Sequence, residues 1–105
     1  MKLEWSPLAF QRVLEVAEHI RRDNPTAAES WLRGLFRLVE RTVRFPNSGR
    51  VVPEVGKPDI REVFHGDYRI VDRRTTTRLS IVTVRHGRRL LDPTELRVHS
   101  YHPSA

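Results

Sequence analysis

The sequence predicts an α+β domain of two layers, in which an antiparallel sheet packs against a helical hairpin in the order β-α-α-β-β-β. Two segments in the first half carry apolar residues at helical spacing, and three segments in the second half are rich in Val, Ile, Thr and aromatic residues, as strands are. A hairpin with one apolar stripe and a sheet with one apolar face bury both surfaces by packing on each other.

The first strand and helix are marked by short signals. Lys2–Trp5 alternates polar and apolar residues, which predicts a short edge or pairing strand. Ser6 is a suitable N-cap and Pro7 suits the first helical turn. The helix that follows has its apolar stripe at Ala9, Val13, Val16, Ala17 and Ile20.

The second helix repeats this logic, with Asn24 as the cap and Pro25 in the first turn. It ends at Pro46, and a loop follows up to Pro58. Strands are predicted at 60–65, 68–73 and 78–86, and Gly66 with Asp67 suits a tight hairpin turn between the first two. We place the domain at residues 1–92 and interpret 93–105 as a mobile or partner-docked tail.

The composition excludes several function classes. A chain of 105 residues fits one domain, and it has no apolar run near the roughly 18 residues of a membrane span. Glu4 stands where a signal peptide would be apolar, so a cytoplasmic location without membrane contact is expected. The lack of cysteine removes disulfides and thiolate chemistry, and the spacing of His19, His65, His99 and His102 does not suit a metal. We expect no metal and no cofactor.

The charge is strongly basic and carried by arginine. The formal net charge is +6, and only Lys2 and Lys57 of the 19 basic residues are lysine. Such a field attracts nucleic acid or an acidic protein, and guanidinium groups suit phosphate or carboxylate. Arginine usage in a GC-rich genome explains the same composition, so the charge alone does not choose a partner.

Six pieces of sequence, in order over residues 3–89, resemble toxins of the RelE/ParE class and its ParE branch most. The pieces are Trp5-Ser6-Pro7, Asn24-Pro25-Thr26-Ala27-Ala28, Phe45-Pro46-Asn47-Ser48-Gly49-Arg50-Val51-Val52-Pro53-Glu54, Ile60-Arg61-Glu62, Tyr68-Arg69-Ile70-Val71 and Val84-Arg85-His86-Gly87-Arg88-Arg89. The resemblance implies a toxin with a partner antitoxin, in which ParE members poison DNA gyrase and RelE members cleave mRNA on the ribosome. Asp72 departs from the family, which more often has an aromatic residue there, and we expect this to alter an exposed surface of the central strand.

The favoured hypothesis is a ParE-like gyrase inhibitor that does not act by catalysis. Its target-binding residues would be basic, namely Arg61, Arg69, Arg85, Arg88 and Arg89. A structural role is the competing interpretation for Arg61 and Glu62, as for most surface charges. A toxin fold that has lost its activity and only binds its partner is a third option.

The alternative is a metal-independent, ribosome-dependent mRNA endonuclease, which needs a base, an acid and positive charge around the phosphate. Its catalytic set would be Glu62, Arg69, Arg85 and His86, with His65 or Tyr68 as a further acid and Arg61 as a further phosphate holder. Arg69 matches a phosphate-holding position of RelE-type nucleases, but ParE toxins share it. The lysine-rich loop and the terminal acid of several of these nucleases are missing, and His86 lies one position early, which on a strand reverses its face.

The antitoxin would dock on apolar residues that lie off the main helical stripes, namely Leu14, Leu32 and Phe36. An acidic, partly disordered segment that wraps the hairpin and a sheet edge fits the basic charge of the chain. The sequence leaves open a homodimer through the hairpin face and a heterotetramer with the antitoxin.

Overall fold

The computed structural model describes residues 1–97, which form two helices and a five-stranded sheet. The elements are β1 (Lys2–Trp5), α1 (Pro7–Asp23), α2 (Pro25–Arg44), β2 (Arg50–Val51), β3 (Ile60–His65), β4 (Tyr68–Arg74), β5 (Arg78–His86) and a 3₁₀ helix (Pro93–Leu96). The predicted α+β architecture is confirmed.

Both helices begin at the caps that the sequence predicts. The Ser6 hydroxyl accepts a hydrogen bond from the Ala9 amide at 3.0 Å, and the Asn24 side chain accepts one from the Ala27 amide at 3.1 Å. Pro7 and Pro25 each open their helix. Asn24 also donates its backbone amide to the last turn of α1, so one residue ends the first helix and starts the second.

The sheet runs in the order β1-β5-β4-β3-β2 and contains two features beyond the predicted meander. β1 pairs in parallel with the first half of β5, so the sheet is mixed. The region predicted as a loop contains β2, which pairs with β3 beside Gly49. A Cβ on Gly49 would lie 2.7 Å from the Glu62 carbonyl oxygen, so only glycine permits this approach of the two backbones. The predicted turn at Gly66 has φ +58°, which suits glycine.

The sheet buries apolar residues on both faces. The helical hairpin covers one face with a cluster that includes Ala9, Val13, Leu35, Val39, Ile70, Leu79, Ile81 and Val84. The other face has a smaller cluster of Val52, Ile60, Val71, Val82 and Leu96, contributed partly by the segments that precede β3 and follow β5. The single-sided sheet expected from the sequence is therefore covered, in part, on its second side as well.

Two expectations need correction. The first part of the predicted tail packs on the sheet, since Leu96 belongs to the second cluster and Glu95 is 5% exposed. Residues 98–105 lie outside the described part of the chain.

Asp72 does not alter an exposed surface, because it is buried at a bulge between β4 and β5 and contacts Arg74 at 2.8 Å. Burial raises the pKa of Asp72, and the Arg74 guanidinium opposes this shift.

Candidate target-binding surface

Arg69 and Arg85 lie side by side on the sheet face opposite the helices. They are register partners on β4 and β5. Their neighbours Ile70 and Val84 belong to the core cluster under the helices, so strand alternation directs the two arginines to the other face. The two guanidinium groups are therefore neighbours on this face.

Arg69 is held in place by two carboxylates. Its Nε donates to Glu62 Oε2 at 2.7 Å, and its Nη2 donates to Glu54 Oε1 at 2.6 Å. Its Nη1 donates to the second Glu54 oxygen and to the Arg89 carbonyl. Arg69 is only 4% exposed, so its guanidinium is not displayed for a target in this structure.

The two carboxylates of this cluster differ in their exposure. Glu62 is fully buried and also accepts from Arg50 at 2.9 Å, so two guanidinium groups flank it. Glu54 lies nearer the surface, and the hydrogen bonds from Arg69 lower its pKa to about 2. The Glu54 contact likewise raises the pKa of Arg69. This geometry satisfies each charge within the protein.

Arg85 belongs to a second cluster, centred on Glu95. The guanidinium donates from Nε and Nη2 to the two Glu95 oxygens at 2.8 and 2.9 Å, in a bidentate pair. Thr83 donates to Glu95 at 3.1 Å, and Arg12 from α1 forms a further ion pair with it. Burial alone would raise the pKa of Glu95, but hydrogen bonds from Arg85 and the charge of Arg12 outweigh burial and lower it.

The other predicted target-binding arginines lie apart from this pair. Arg61 alternates on β3 with Ile60 and Glu62, which point to the face away from the helices, so it is directed to the helix side of the sheet. Arg61 donates to the carbonyls of Pro58 and Gly49, so it anchors the two ends of the loop before β3. This contact favours the structural interpretation of Arg61. Arg88 and Arg89 are exposed in the turn after β5, where their side chains are accessible. Of the five arginines, these two are the most available to a partner.

The predicted catalytic residues divide between the two faces of the sheet. Glu62, Arg69 and Arg85 share the face away from the helices, whereas Tyr68 and His86 form an edge-to-face pair with ring centroids 5.6 Å apart on the helix side. The reversed direction of His86 relative to Arg85 follows the strand alternation that the sequence predicts. A base or acid at His86 would therefore act on the opposite side of the sheet from the arginines.

The two histidines nearest this region have structural contacts. His65 Nε2 lies 2.9 Å from the Trp31 carbonyl, which only accepts, so this nitrogen carries the proton. The His86 Nδ1 accepts from the Arg88 amide at 3.2 Å and so shapes the turn after β5. Both histidines are therefore engaged in hydrogen bonds within the domain.

The predicted antitoxin-docking residues differ in exposure. Leu14 is 54% exposed on α1 and Phe36 is 43% exposed on α2, where it contacts Trp5 edge to face. Leu32 is half-buried and packs against the main core, so it does not point outward as predicted. Phe10, one turn before Leu14, is 51% exposed and extends the apolar patch on α1.

Glu54, Glu95 and Phe10 are the residues that the sequence interpretation missed. A signal for Glu95 exists, since Asp92-Pro93-Thr94-Glu95 has the spacing of a capping box, and the structure contains that box. Glu54 ends one of the quoted motif pieces, but its contact with Arg69 spans 15 residues and has no local pattern. Phe10 lies one helical turn from Leu14, a spacing that indicates a shared patch.

Within residues 1–97, no three side chains of the metal-binding types come together at a distance that would hold a metal ion. Over the same residues, neither helix is both long enough and apolar enough to cross a membrane. His99 and His102 lie outside the described residues.

Comparison with known proteins matches the chain to a family model and to solved structures. A family model described as "ParE toxin of type II toxin-antitoxin system, parDE" matches residues 3–91. A solved structure titled "Chromosomal ParDE TA system from P. aeruginosa" is similar in fold, with a TM-score of 0.69 at 17% identity; the match covers 82% of this chain and 95% of that one. A search of curated proteins gave no match.

Proposed function

Since the chain belongs to the ParE toxin family of type II toxin–antitoxin systems, we propose that it inhibits DNA gyrase by binding it and that a cognate antitoxin neutralises it. The toxin would act in the cytoplasm, where gyrase works. The inhibition requires no bond cleavage by the toxin itself.

One observation carries the choice of binding over catalysis. Arg69, the arginine that would hold a phosphate in a nuclease, is 4% exposed and bonded to Glu54 and Glu62. A guanidinium with two carboxylate partners has few donors left for a phosphorane, and displacing those partners would leave buried charges unpaired. Glu62, the candidate base, is likewise engaged by two arginines.

The gyrase proposal is tested with purified toxin in a supercoiling assay and in an assay for trapped, cleaved DNA. We expect loss of supercoiling that depends on toxin concentration, with a weaker effect for an Arg88→Ala, Arg89→Ala variant, because these exposed side chains are the accessible members of the predicted set. Unchanged supercoiling at saturating toxin would reject the proposal.

An mRNA cleavage assay on translating ribosomes separates this function from the nuclease alternative. We expect no cleavage from the wild-type toxin. Cleavage by the wild type would favour the nuclease, and cleavage that is unchanged in Arg69→Ala and His86→Ala would contradict the roles assigned to these two residues, which lie on opposite faces of the sheet.

For the antitoxin, we propose docking on the exposed apolar residues of the hairpin. Leu14, Phe10 and Phe36 are each more than 40% exposed, and exposed apolar patches mark surfaces that a partner protein covers. A Leu14→Asp, Phe36→Asp variant should fail to co-purify with the antitoxin encoded beside the toxin gene. Leu90→Asp, which changes a 79% exposed leucine outside the hairpin, is the matched control. Retention of a tight complex by the hairpin variant would contradict this docking surface.

A further inference from the structure

Three arginines on the outer side of α2 differ from those of the sheet. Arg37, Arg41 and Arg44 are exposed, and within residues 1–97 no carboxylate lies within the 4 Å of an ion pair from any of them. We call these three residues the α2 arginine row. Together with Glu40 and Phe45 they line one shallow cleft at the end of the helix. The cleft thus combines three cationic groups with one carboxylate, and none of the three arginines forms an ion pair within residues 1–97.

The row follows the axis of the helix. At a rise of about 1.5 Å per residue, Arg37 and Arg44 are separated by about 10 Å along α2. One strand of B-form DNA carries a phosphate about every 3.4 Å of its axis, so a similar length holds about three phosphates. The spacing of the guanidinium groups therefore matches a linear polyanion at about one charge for each phosphate.

The helix dipole explains only part of this arrangement. Arg41 and Arg44 lie in the last turn, where cations favour the partial negative charge of the carbonyl end. Arg37 lies before that turn and has Arg33 and Arg41 four residues away on either side, a repulsion of like charges that Glu40, three residues away, offsets only in part. Arg33 is bonded to Glu29, whereas Arg37 has no such partner within residues 1–97. A ligand that bears negative charge would relieve this repulsion.

The chemistry of the row favours nucleic acid over an acidic protein. Protein interfaces place apolar or aromatic residues at their centre. Between Arg37 and Arg44, the apolar residues of α2 pack towards the core of the domain instead; they are Leu38, Val39 and Val43. Phe45 is 55% exposed and lies at one end of the row, where it is placed to stack on a base. A cationic line with an aromatic residue at one end suits a phosphate backbone.

We propose that the α2 arginine row binds the phosphate backbone of a nucleic acid, without sequence preference. The proposal does not rest on the identity of the toxin's target. Duplex DNA and single-stranded RNA share the backbone chemistry, and a binding assay with one probe of each kind distinguishes them.

The test is fluorescence anisotropy of the full chain with two labelled probes, a DNA duplex of about 20 base pairs with mixed sequence and an RNA of about 20 nucleotides. We expect dissociation constants in the micromolar range at low salt that weaken steeply as salt rises, as for phosphate binding in general. An Arg37→Gln, Arg41→Gln, Arg44→Gln variant should bind at least about tenfold more weakly at about 100 mM salt. Its slope of log K against log salt should become shallower by about 0.9 for each duplex phosphate that the variant no longer neutralises, or by about 0.7 for single strands.

The matched control is Arg21→Gln, Arg22→Gln, Lys57→Gln, which removes three exposed charges elsewhere. Glutamine is a good helix former, so all variants should keep the wild-type circular dichroism, and Arg37→Gln alone is a milder second test. Equal weakening in the row variant and the control would overturn the proposal, because net charge alone would then explain binding. The absence of binding to both probes would overturn it too. So would a row variant that binds both probes as tightly as the wild type but loses binding to an acidic peptide, since the row would then bind proteins.

Each probe supports one source of phosphate. Tighter binding of the duplex, with the larger slope, would assign the row to DNA, and tighter binding of the RNA would assign it to RNA. Because gyrase is absent from the assay, a negative result leaves the gyrase proposal intact, and a failed supercoiling assay leaves this one intact.

Discussion

The arginines of the sheet face and those of α2 occupy opposite kinds of environment. Arg69 and Arg85 lie on the sheet with carboxylates at 2.6 to 2.9 Å, and Arg69 is almost fully buried. Arg37, Arg41 and Arg44 lie on the outer side of a helix without an ion-pair partner within residues 1–97. Arginine side chains thus stabilise the domain in one region and remain available to a ligand in the other.

The difference teaches that the number of arginines does not locate a binding surface. The net charge of +6 is a property of the whole chain, whereas the field that a partner meets depends on which guanidinium groups are already neutralised. On the sheet face, Glu54, Glu62 and Glu95 cancel much of the positive charge that strand alternation brings together. The α2 arginines and the turn after β5 therefore keep exposed positive charge that the sheet face has largely lost.

The largest expected effect comes from breaking the sheet cluster. Arg69→Ala removes the partner of Glu54 and one of the two partners of the fully buried Glu62. Breaking a buried ion pair costs about 3–5 kcal/mol in the free energy of unfolding, and we expect about 3 kcal/mol here because Arg50 still pairs with Glu62. Urea denaturation of the variant and the wild type measures this difference. A change of less than about 1 kcal/mol would mean that the sheet arginine is not structural.

A smaller effect is expected at the Glu95 cluster. Glu95→Gln keeps the size of the side chain but removes the charge that pairs with Arg85 and Arg12, both of which reach water in part. We expect a loss of about 2 kcal/mol in the free energy of unfolding. Hydrogen exchange should also be faster at the amides of the 3₁₀ helix Pro93–Leu96. Unchanged exchange there would show that Leu96 alone holds the segment on the sheet.

The Glu54 pair should make stability depend on pH. Its pKa of about 2 in the folded state is below that of an unfolded glutamate, about 4.3. The stabilisation is therefore complete above about pH 5 and is lost as the pH falls towards about 2. After allowance for partial exposure, Glu54→Gln should cost about 1 kcal/mol at about pH 7, and this difference from wild type should vanish near about pH 2.

Denaturant melts from about pH 7 to about pH 2 measure this convergence. Glu29→Gln is the control, since the carboxylate of Glu29 forms an exposed pair with Arg33 that contributes little at any pH. If the free energy of unfolding of Glu54→Gln runs parallel to that of the wild type over this pH range, the ion pair between Glu54 and Arg69 does not stabilise the domain.

The smallest effect on stability is expected from the α2 arginine row. Arg37→Gln removes an exposed side chain without an ion-pair partner in the described residues, so the free energy of unfolding should change by less than about 0.5 kcal/mol. A thermal melt beside that of Arg69→Ala compares the two regions directly. A destabilisation comparable to that of Arg69→Ala would remove the distinction between structural and available arginines.

Much of the fold was predictable because its signals are local. Ser6-Pro7 and Asn24-Pro25 mark helix starts through hydrogen bonds and φ values that span a few residues, and the structure contains both caps. Gly66 marks a turn for the same reason. The two-residue strand β2 was not predictable, because Arg50 and Val51 pair only where β3 presents a free edge beside Gly49.

The candidate site was predictable in its positions but not in its partners. Alternation along β4 and β5 places Arg69 and Arg85 on one face and His86 on the other, and the sequence carries that information. The contacts of Glu54 with Arg69 and of Glu95 with Arg85 join residues 15 and 10 apart, across loops whose path the sequence does not specify. The outward direction assigned to Leu32 was wrong because helical spacing alone did not show that the core cluster reaches this side of α2.

The sequence by itself determined the order of the two helices and the four longer strands, the helix caps and the toxin family, since each depends on nearby residues or on a linear pattern of motifs. Only the tertiary structure decided which arginines are neutralised. An ion pair depends on distances of a few ångströms between side chains on different elements, and the packing of the sheet, loop and 3₁₀ helix sets those distances.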